Sequence, residues 1–206
     1  ALTFAQAGFI VISTEAEPLG QEWAGDDFIQ AQLAAWQYGM NMFAPGPVFL
    51  YGGSMGGLGT LVTMASRIIP GVAGLILNQP VCSLRAAYDS TGLRAGVVQA
   101  YNLGSYPDPT YEAKTGPSAT CRYGHDPLST DMPGWALGGV PIWIEYSPDD
   151  NTVPEAQHAL PFIAKYGSWN QITQLIGSGD HGASGQFGPF FAAQVAWAKQ
   201  IVGGLT

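Results

Sequence analysis

The chain has 206 residues and a formal net charge of −8, and only 11% of its residues are charged. Its seven lysines and arginines are scattered singly, which excludes a continuous basic face for nucleic acid. No apolar run reaches the roughly 20 residues that a membrane-spanning helix needs. The length favours a single domain, residues 1–206, with a substantial hydrophobic core.

Predicted strands and helices alternate in the first part of the chain. Residues 8–13, GFIVIS, form a continuous apolar run rich in β-branched residues, which predicts a strand covered on both faces. Asp26 is expected to cap a helix whose apolar residues recur at helical spacing from residue 29 to residue 40. A second strand at residues 48–51 and a second helix at residues 58–66 follow.

The same alternation resumes toward the C-terminus. It predicts a mainly parallel sheet with helices on both faces, an α/β fold. Pro161 must kink or restart the helix that contains it. The remaining predicted strands are residues 74–78, 140–146 and 171–176, and the remaining predicted helices are residues 154–166 and 189–202.

A long irregular segment interrupts the alternation. Residues 81–139 contain repeated proline and glycine turns and only two short helical patterns, at residues 84–88 and 93–101. A connection this long without a strand predicts an inserted cap. Its aromatic residues, which either line a substrate cleft or form the cap's own small core, are Tyr101, Tyr106, Tyr123 and Trp135.

The cysteines and the composition bear on the compartment. Cys82 and Cys121 are the only cysteines, and they form either one disulfide across a loop of about forty residues or two buried thiols. Low charge, 28 glycines and few lysines favour an extracellular or secreted protein.

A G-x-S-x-G motif lies between the strand at 48–51 and the helix that follows it. Ser54 is its serine, and a serine in such a turn exposes its hydroxyl. Gly52 and Gly56 are expected to let strand and helix approach each other, and Gly57 and Gly59 are expected to mark further close packing. The motif is a nucleophile elbow, and the chain resembles the α/β-hydrolase family.

A serine nucleophile requires a base, and that base requires a carboxylate to orient it. His181 directly follows the last predicted strand, whereas His158 lies in a helix-like segment and His125 lies among turn residues. His181 is therefore the predicted base. The chain order Ser54, Asp150, His181 matches the order of serine, aspartate and histidine in this family.

The choice of Asp150 depends on a second motif. The family often shows Gly-x-x-Asp-x-x-Val-Pro after the preceding strand, and the spacing to Val153 and Pro154 selects Asp150. Ser147 stands where the glycine is usual. Asp149 remains an alternative, because a shift of one residue would exchange the two carboxylates.

The resemblance also implies two N–H donors for the oxyanion, and the first is the backbone N–H of Met55. The second donor in the family lies on a loop before the strand that we predict at residues 8–13. We therefore expect a segment preceding Ala1, or a further chain, to complete the sheet and to supply that donor.

The resemblance implies a serine hydrolase that cleaves carboxylic ester or related acyl bonds of a small or polymeric substrate, without metal or cofactor. An acyltransferase with the same triad, in which an alcohol replaces water, is one alternative. A non-catalytic module of an extracellular or virion assembly is another. The complete triad argues against the module, because simple binding does not require that alignment.

Overall fold

A four-stranded parallel sheet lies at the centre of the computed structural model, which describes residues 2–14, 23–182 and 190–204. Neighbouring strands pair in chain order, and every pair is parallel. The carboxyl ends of all four strands therefore meet at one edge of the sheet, where ligands bind in open α/β folds. The strands are β1 (Val48–Gly53), β2 (Val72–Asn78), β3 (Ile142–Tyr146) and β4 (Ile172–Ile176).

Helices alternate with these strands, as the sequence predicts. Within the described ranges, every helix is too short or too polar to cross a lipid bilayer. The helices are α1 (Leu2–Gln6), α2 (Asp26–Phe43), α3 (Met55–Ser66), α4 (Leu84–Asp89), α5 (Arg94–Ala100), α6 (Tyr111–Thr115), α7 (Ala159–Tyr166) and α8 (Phe191–Gly203).

Both faces of the sheet are covered by helices. Leu75 and Leu77 of β2 belong to a buried cluster that includes residues of α3 and α7, among them Phe162. Ile76, which points to the opposite face, belongs to a second cluster with Ala198 of α8. The α/β architecture predicted from the sequence is confirmed by this arrangement.

The inserted segment, residues 81–139, contributes no strand to the described sheet. It contains α4, α5 and α6, and its apolar residues form a third cluster together with Leu58 and Val62 of α3. The segment therefore packs on the helix that follows the predicted nucleophile. No disulfide links Cys82 to Cys121 within this segment, because both are buried free thiols.

The predicted strand at residues 8–13 is wrong. Residues 9–14 have no regular secondary structure, and the side chains of Ile10, Val11 and Ile12 are 50%, 43% and 40% exposed. Among the described residues β1 pairs with β2 alone, and no strand lies beside this apolar run. Without a neighbour to satisfy its N–H and C=O groups, an apolar run does not become a strand.

Two helix starts also differ from the predicted ones. Gly25, not Asp26, is the N-cap of α2, and Asp26 is the first residue of the helix. Helix α7 begins at Ala159, which places Pro161 in the first turn, where its missing N–H breaks no helical hydrogen bond. The proline thus restarts the helix, as predicted.

Candidate active site

The sharp turn after β1 holds Ser54 in an unusual backbone conformation. Its φ of 51° and ψ of −123° are costly for a residue with a side chain, by about 1–3 kcal/mol. The Ser54 N–H donates to the carbonyl of Asn78 at 2.9 Å, and the Ser54 carbonyl accepts the N–H of Val81 at 2.9 Å. The last residue of β2 and the segment just after it therefore hold the strained turn through both the N–H and the carbonyl of Ser54.

Of the four glycines near Ser54 for which close packing is predicted, three lie where a side chain would meet a close contact. A Cβ at Gly52 would lie 2.2 Å from the carbonyl oxygen of Gly56, and one at Gly57 would lie 2.5 Å from Pro80. A Cβ at Gly59 would lie 2.2 Å from the ring of Phe28. The prediction for Gly56 itself is wrong, because a Cβ there meets no atom within 4 Å.

The structure brings Ser54, Asp150 and His181 together. His181 Nε2 lies 2.9 Å from Ser54 Oγ, and His181 Nδ1 lies 2.7 Å from Asp150 Oδ2. Asp150 is buried, and Ser54 and His181 are partly buried. The three side chains thus form one continuous line of hydrogen bonds at the carboxyl edge of the sheet.

Asp150 is held in place through its second carboxylate oxygen. Oδ1 accepts the backbone N–H groups of Thr152 at 3.0 Å and Val153 at 2.8 Å, which leaves Oδ2 for the imidazole. Asp149, the alternative carboxylate, instead accepts the N–H of Gly179 at 3.0 Å. The structure therefore places Asp150, and not Asp149, beside His181.

Two further hydrogen bonds join the loop of Asp150 to the loop of His181, and a third lies within the His181 loop. Ser147 Oγ donates to the carbonyl of Gly179 at 2.8 Å, a contact that the glycine usual at this position could not make. Asp180 accepts the N–H groups of Asn151 at 2.9 Å and of His181 at 2.8 Å. These two bonds lower the pKa of the Asp180 carboxyl.

His158 is a neighbour of the triad that the sequence did not identify. It is buried, and its Nδ1 accepts the backbone N–H groups of Cys82 at 3.2 Å and Ser83 at 3.3 Å. Burial lowers the pKa of His158 to about 4, against a smaller opposing effect of Asp150. The neutral ring therefore fixes the turn at Cys82 and Ser83. The preceding residue, Val81, donates its N–H to the Ser54 carbonyl.

A buried polar network supports β2 from the α8 side of the sheet. Gln194 donates through Nε2 to Asn78 Oδ1 at 2.9 Å and to Glu145 Oε1 at 2.7 Å. Burial raises the pKa of Glu145, although its hydrogen bonds with Gln194 and Trp143 oppose that shift. Asn78 is also the residue whose carbonyl accepts the Ser54 N–H, so the network braces the elbow.

Met55, the predicted oxyanion donor, is the first residue of α3. The first N–H groups of a helix have no intrahelical acceptor, and they carry the positive end of the helix dipole. The Met55 N–H directly follows Ser54 in the chain, where negative charge would develop during acyl transfer. Its position is consistent with the predicted role.

The aromatic residues of the inserted segment do not form one group. Tyr101 belongs to the core, where its hydroxyl donates to the Trp23 carbonyl at 2.9 Å. Trp135 and Tyr106 are exposed, and Tyr123 packs edge-on against Trp135. A cavity of about 430 Å³ includes Tyr123 in its lining, but none of the three triad residues. The expectation of an aromatic cleft thus applies at most to part of this set.

The parallel sheet, the elbow and the order of the site residues define the α/β-hydrolase fold. Comparison with solved structures agrees with this assignment. A puromycin-hydrolyzing peptidase of Mycobacterium tuberculosis is similar, with 18% identity and a TM-score of 0.67 over 89% of this chain and 26% of that chain. The esterase domain of a Rhodothermus marinus protein is also similar, with 17% identity and a TM-score of 0.59 over 97% of this chain and 78% of that chain.

A third similar structure is Thermogutta terrifontis esterase 2 phosphoramylated by tabun, with 16% identity and a TM-score of 0.55 over 89% of this chain and 66% of that chain. The chain thus spans about a quarter of the length of the peptidase and larger shares of the two esterases. No protein-family model matches the sequence, and a search of curated proteins also finds no match.

Proposed function

We propose that the protein is a serine hydrolase that cleaves carboxylic ester bonds through an acyl-enzyme. The observation that carries the proposal is the unbroken line from Ser54 Oγ through the imidazole of His181 to the carboxylate of Asp150. Each distance lies in the range in which a base can activate a hydroxyl and a carboxylate can orient that base.

The proposed reaction begins with attack of Ser54 Oγ on the acyl carbonyl, while His181 Nε2 takes the hydroxyl proton. Asp150 stabilises the imidazolium that forms and keeps Nδ1 protonated. His181 then returns the proton to the leaving alcohol, and the acyl group remains on Ser54. Water, activated by the same imidazole, releases the acid in the second half of the cycle.

The developing oxyanion requires hydrogen-bond donors beside the reacting carbon. The Met55 N–H at the start of α3 is the proposed first donor.

The comparisons favour an ester over an amide substrate. The esterase domain from Rhodothermus marinus is covered over 78% of its length, whereas the puromycin-hydrolyzing peptidase is covered over only 26%. The similar esterase 2 carries an organophosphorus adduct, which suggests a phosphonylating probe for this chain.

A fluorophosphonate probe tests the proposal directly. The intact chain should gain the mass of one phosphonyl group, peptide mapping should place it on Ser54, and Ser54→Ala should abolish it. A p-nitrophenyl ester should be hydrolysed faster than the p-nitroanilide of the same acyl group. Absence of labelling on the folded chain would refute the hydrolase, and faster anilide cleavage would refute the ester preference.

A further inference from the structure

We propose that Asp26, Cys121 and His125 bind a zinc-type divalent cation, at a site separate from the triad. One ligand atom from each of these residues lies within 4.8 Å of the other two. A carboxylate, a thiolate and an imidazole are the ligands that Zn²⁺ prefers, whereas Mg²⁺ and Ca²⁺ prefer oxygen alone. The chemistry of the donor set therefore selects a borderline or soft cation.

The hydrogen bonds of His125 provide an independent argument. Nδ1 lies 3.1 Å from the carbonyl oxygen of Thr115, which can only accept, so Nδ1 must carry a proton. In the neutral ring, Nε2 then presents a lone pair to Asp26 Oδ1 at 3.2 Å. The carboxylate oxygen is also an acceptor, so a cation between Nε2 and Oδ1 would be bound by both atoms while Nδ1 donates to Thr115.

Cys121 adds a third ligand type to the carboxylate and the imidazole, because its sulfur lies within 4.8 Å of both other ligand atoms. The Ser66 hydroxyl also contacts this sulfur, at 3.7 Å. A bound divalent cation would hold this sulfur as a thiolate.

The distance between the aspartate and histidine ligand atoms suits a tetrahedral ion. Bonds of 2.0–2.3 Å place neighbouring donors about 3.3–3.8 Å apart, close to the 3.2 Å between Asp26 Oδ1 and His125 Nε2. The contact between His125 Nδ1 and Thr115 is the usual outer contact of a metal-bound histidine. Ser118 Oγ donates to Asp26 Oδ1 at 2.9 Å and orients that carboxylate in the same way.

The position of the cluster defines what the ion would do. Asp26 is the first residue of α2, whereas Cys121 and His125 belong to the loop that follows α6 in the inserted segment. The ion would therefore clamp the inserted segment to α2. His125 is only 3% exposed, but the side chain of Asp26 is 47% exposed, which gives the cation an entry path and leaves room for water as a fourth ligand.

Cobalt is the probe for the test, because a thiolate ligand produces a charge-transfer band on Co²⁺. The unmutated chain, stripped with a chelator, should bind one Co²⁺ with this band, and Zn²⁺ should displace it. Cys121→Ser should lose the band, whereas Cys82→Ser, which changes the other buried thiol, should retain it. Asp26→Asn and His125→Gln should each weaken binding at least tenfold.

The wild-type measurement alone can overturn the proposal, so it does not depend on the folding of any variant. No Co²⁺ uptake, or uptake without a thiolate band, would refute the site and leave only the direct contact between His125 and Asp26. An unchanged band in Cys121→Ser would place the ion elsewhere. Ser54→Ala should bind Co²⁺ like the wild type, which separates this test from that of the hydrolase.

Discussion

Two aspartate–histidine pairs lie in different parts of this molecule. At the carboxyl edge of the sheet, His181 meets Asp150 through Nδ1 and the hydroxyl of Ser54 through Nε2. In the inserted segment, the opposite nitrogen of His125 meets an aspartate, Asp26. The two pairs thus consist of the same residue types, but the aspartate faces Nδ1 of His181 and Nε2 of His125.

The atom at the other ring nitrogen decides what each pair can do. The Ser54 hydroxyl can give its proton to the imidazole, so the first pair can act as a proton relay. The Thr115 carbonyl beside His125 has no proton to give, so the second pair cannot. An aspartate beside a histidine is therefore not by itself a catalytic signature.

Of the substitutions considered, removal of the Ser54 hydroxyl should lower kcat the most. Ser54→Ala should lower kcat for a p-nitrophenyl ester by about 10⁴-fold or more, because the nucleophile is lost. Steady-state kinetics on the two purified proteins measure the effect. Ser168→Ala, at an exposed serine after α7, is the matched control and should stay within twofold. If Ser54→Ala keeps a tenth of the activity, Ser54 is not the nucleophile.

Replacement of the Asp150 carboxylate by an amide should have the next largest effect on kcat. Asp150→Asn should lower kcat by about 10³–10⁴-fold, because an amide beside Nδ1 favours the wrong imidazole tautomer. Asp149→Asn should cost less than tenfold, because its amide oxygen can still accept the Gly179 N–H. The ratio of the two kcat values measures the difference. Equal losses of kcat in the two variants would contradict the assignment of Asp150 as the carboxylate that orients His181.

The third histidine, His158, extends the comparison to stability. Its pKa is about 4 in the folded chain and about 6.5 when unfolded, so the unfolded chain binds more protons between those values. The neutral His158 ring contributes fully to the free energy of unfolding above pH 6.5, and this contribution is lost as the pH falls through 4. The loss is on the order of 3 kcal/mol. Urea titrations from pH 7 to pH 4 measure it.

His158→Asn is the matched variant for that measurement. Its amide oxygen can accept the Cys82 and Ser83 N–H groups, but the side chain does not titrate. The difference in free energy of unfolding between wild type and variant should therefore shrink as pH falls. A difference that stays constant with pH would show that His158 is not held neutral by its surroundings.

The smallest expected effects are changes in the free energy of unfolding when glycines beside Ser54 are replaced. Gly52→Ala should lower the free energy of unfolding by about 2–3 kcal/mol, because the new Cβ meets a backbone carbonyl at 2.2 Å. Gly56→Ala should change it by less than about 1 kcal/mol, in either direction, because the site is open and alanine favours the helix. Denaturant midpoints with unchanged m-values would check both. Equal losses would mean that the elbow relaxes to admit a side chain.

Much of the fold and of the relay could be predicted from the sequence, because the signals are local. Each predicted strand from β1 to β4 is a short apolar run between turn residues, and Ser54 stands at a strand-to-helix junction. Although Ser54 and His181 are 127 positions apart, both follow strands. Parallel pairing brings such positions to one edge, so the order of the motifs was enough to predict their proximity.

The remaining features depend on contacts between segments that no local pattern connects. Residues 8–13 have a strand's composition, but a strand also requires a neighbour, and only the tertiary structure decides which runs are paired. Asp26 and His125 are 99 positions apart and follow no strand, so no rule of sheet topology linked them. By itself the sequence determined which residues could react, and the packing of distant segments decided what each histidine faces.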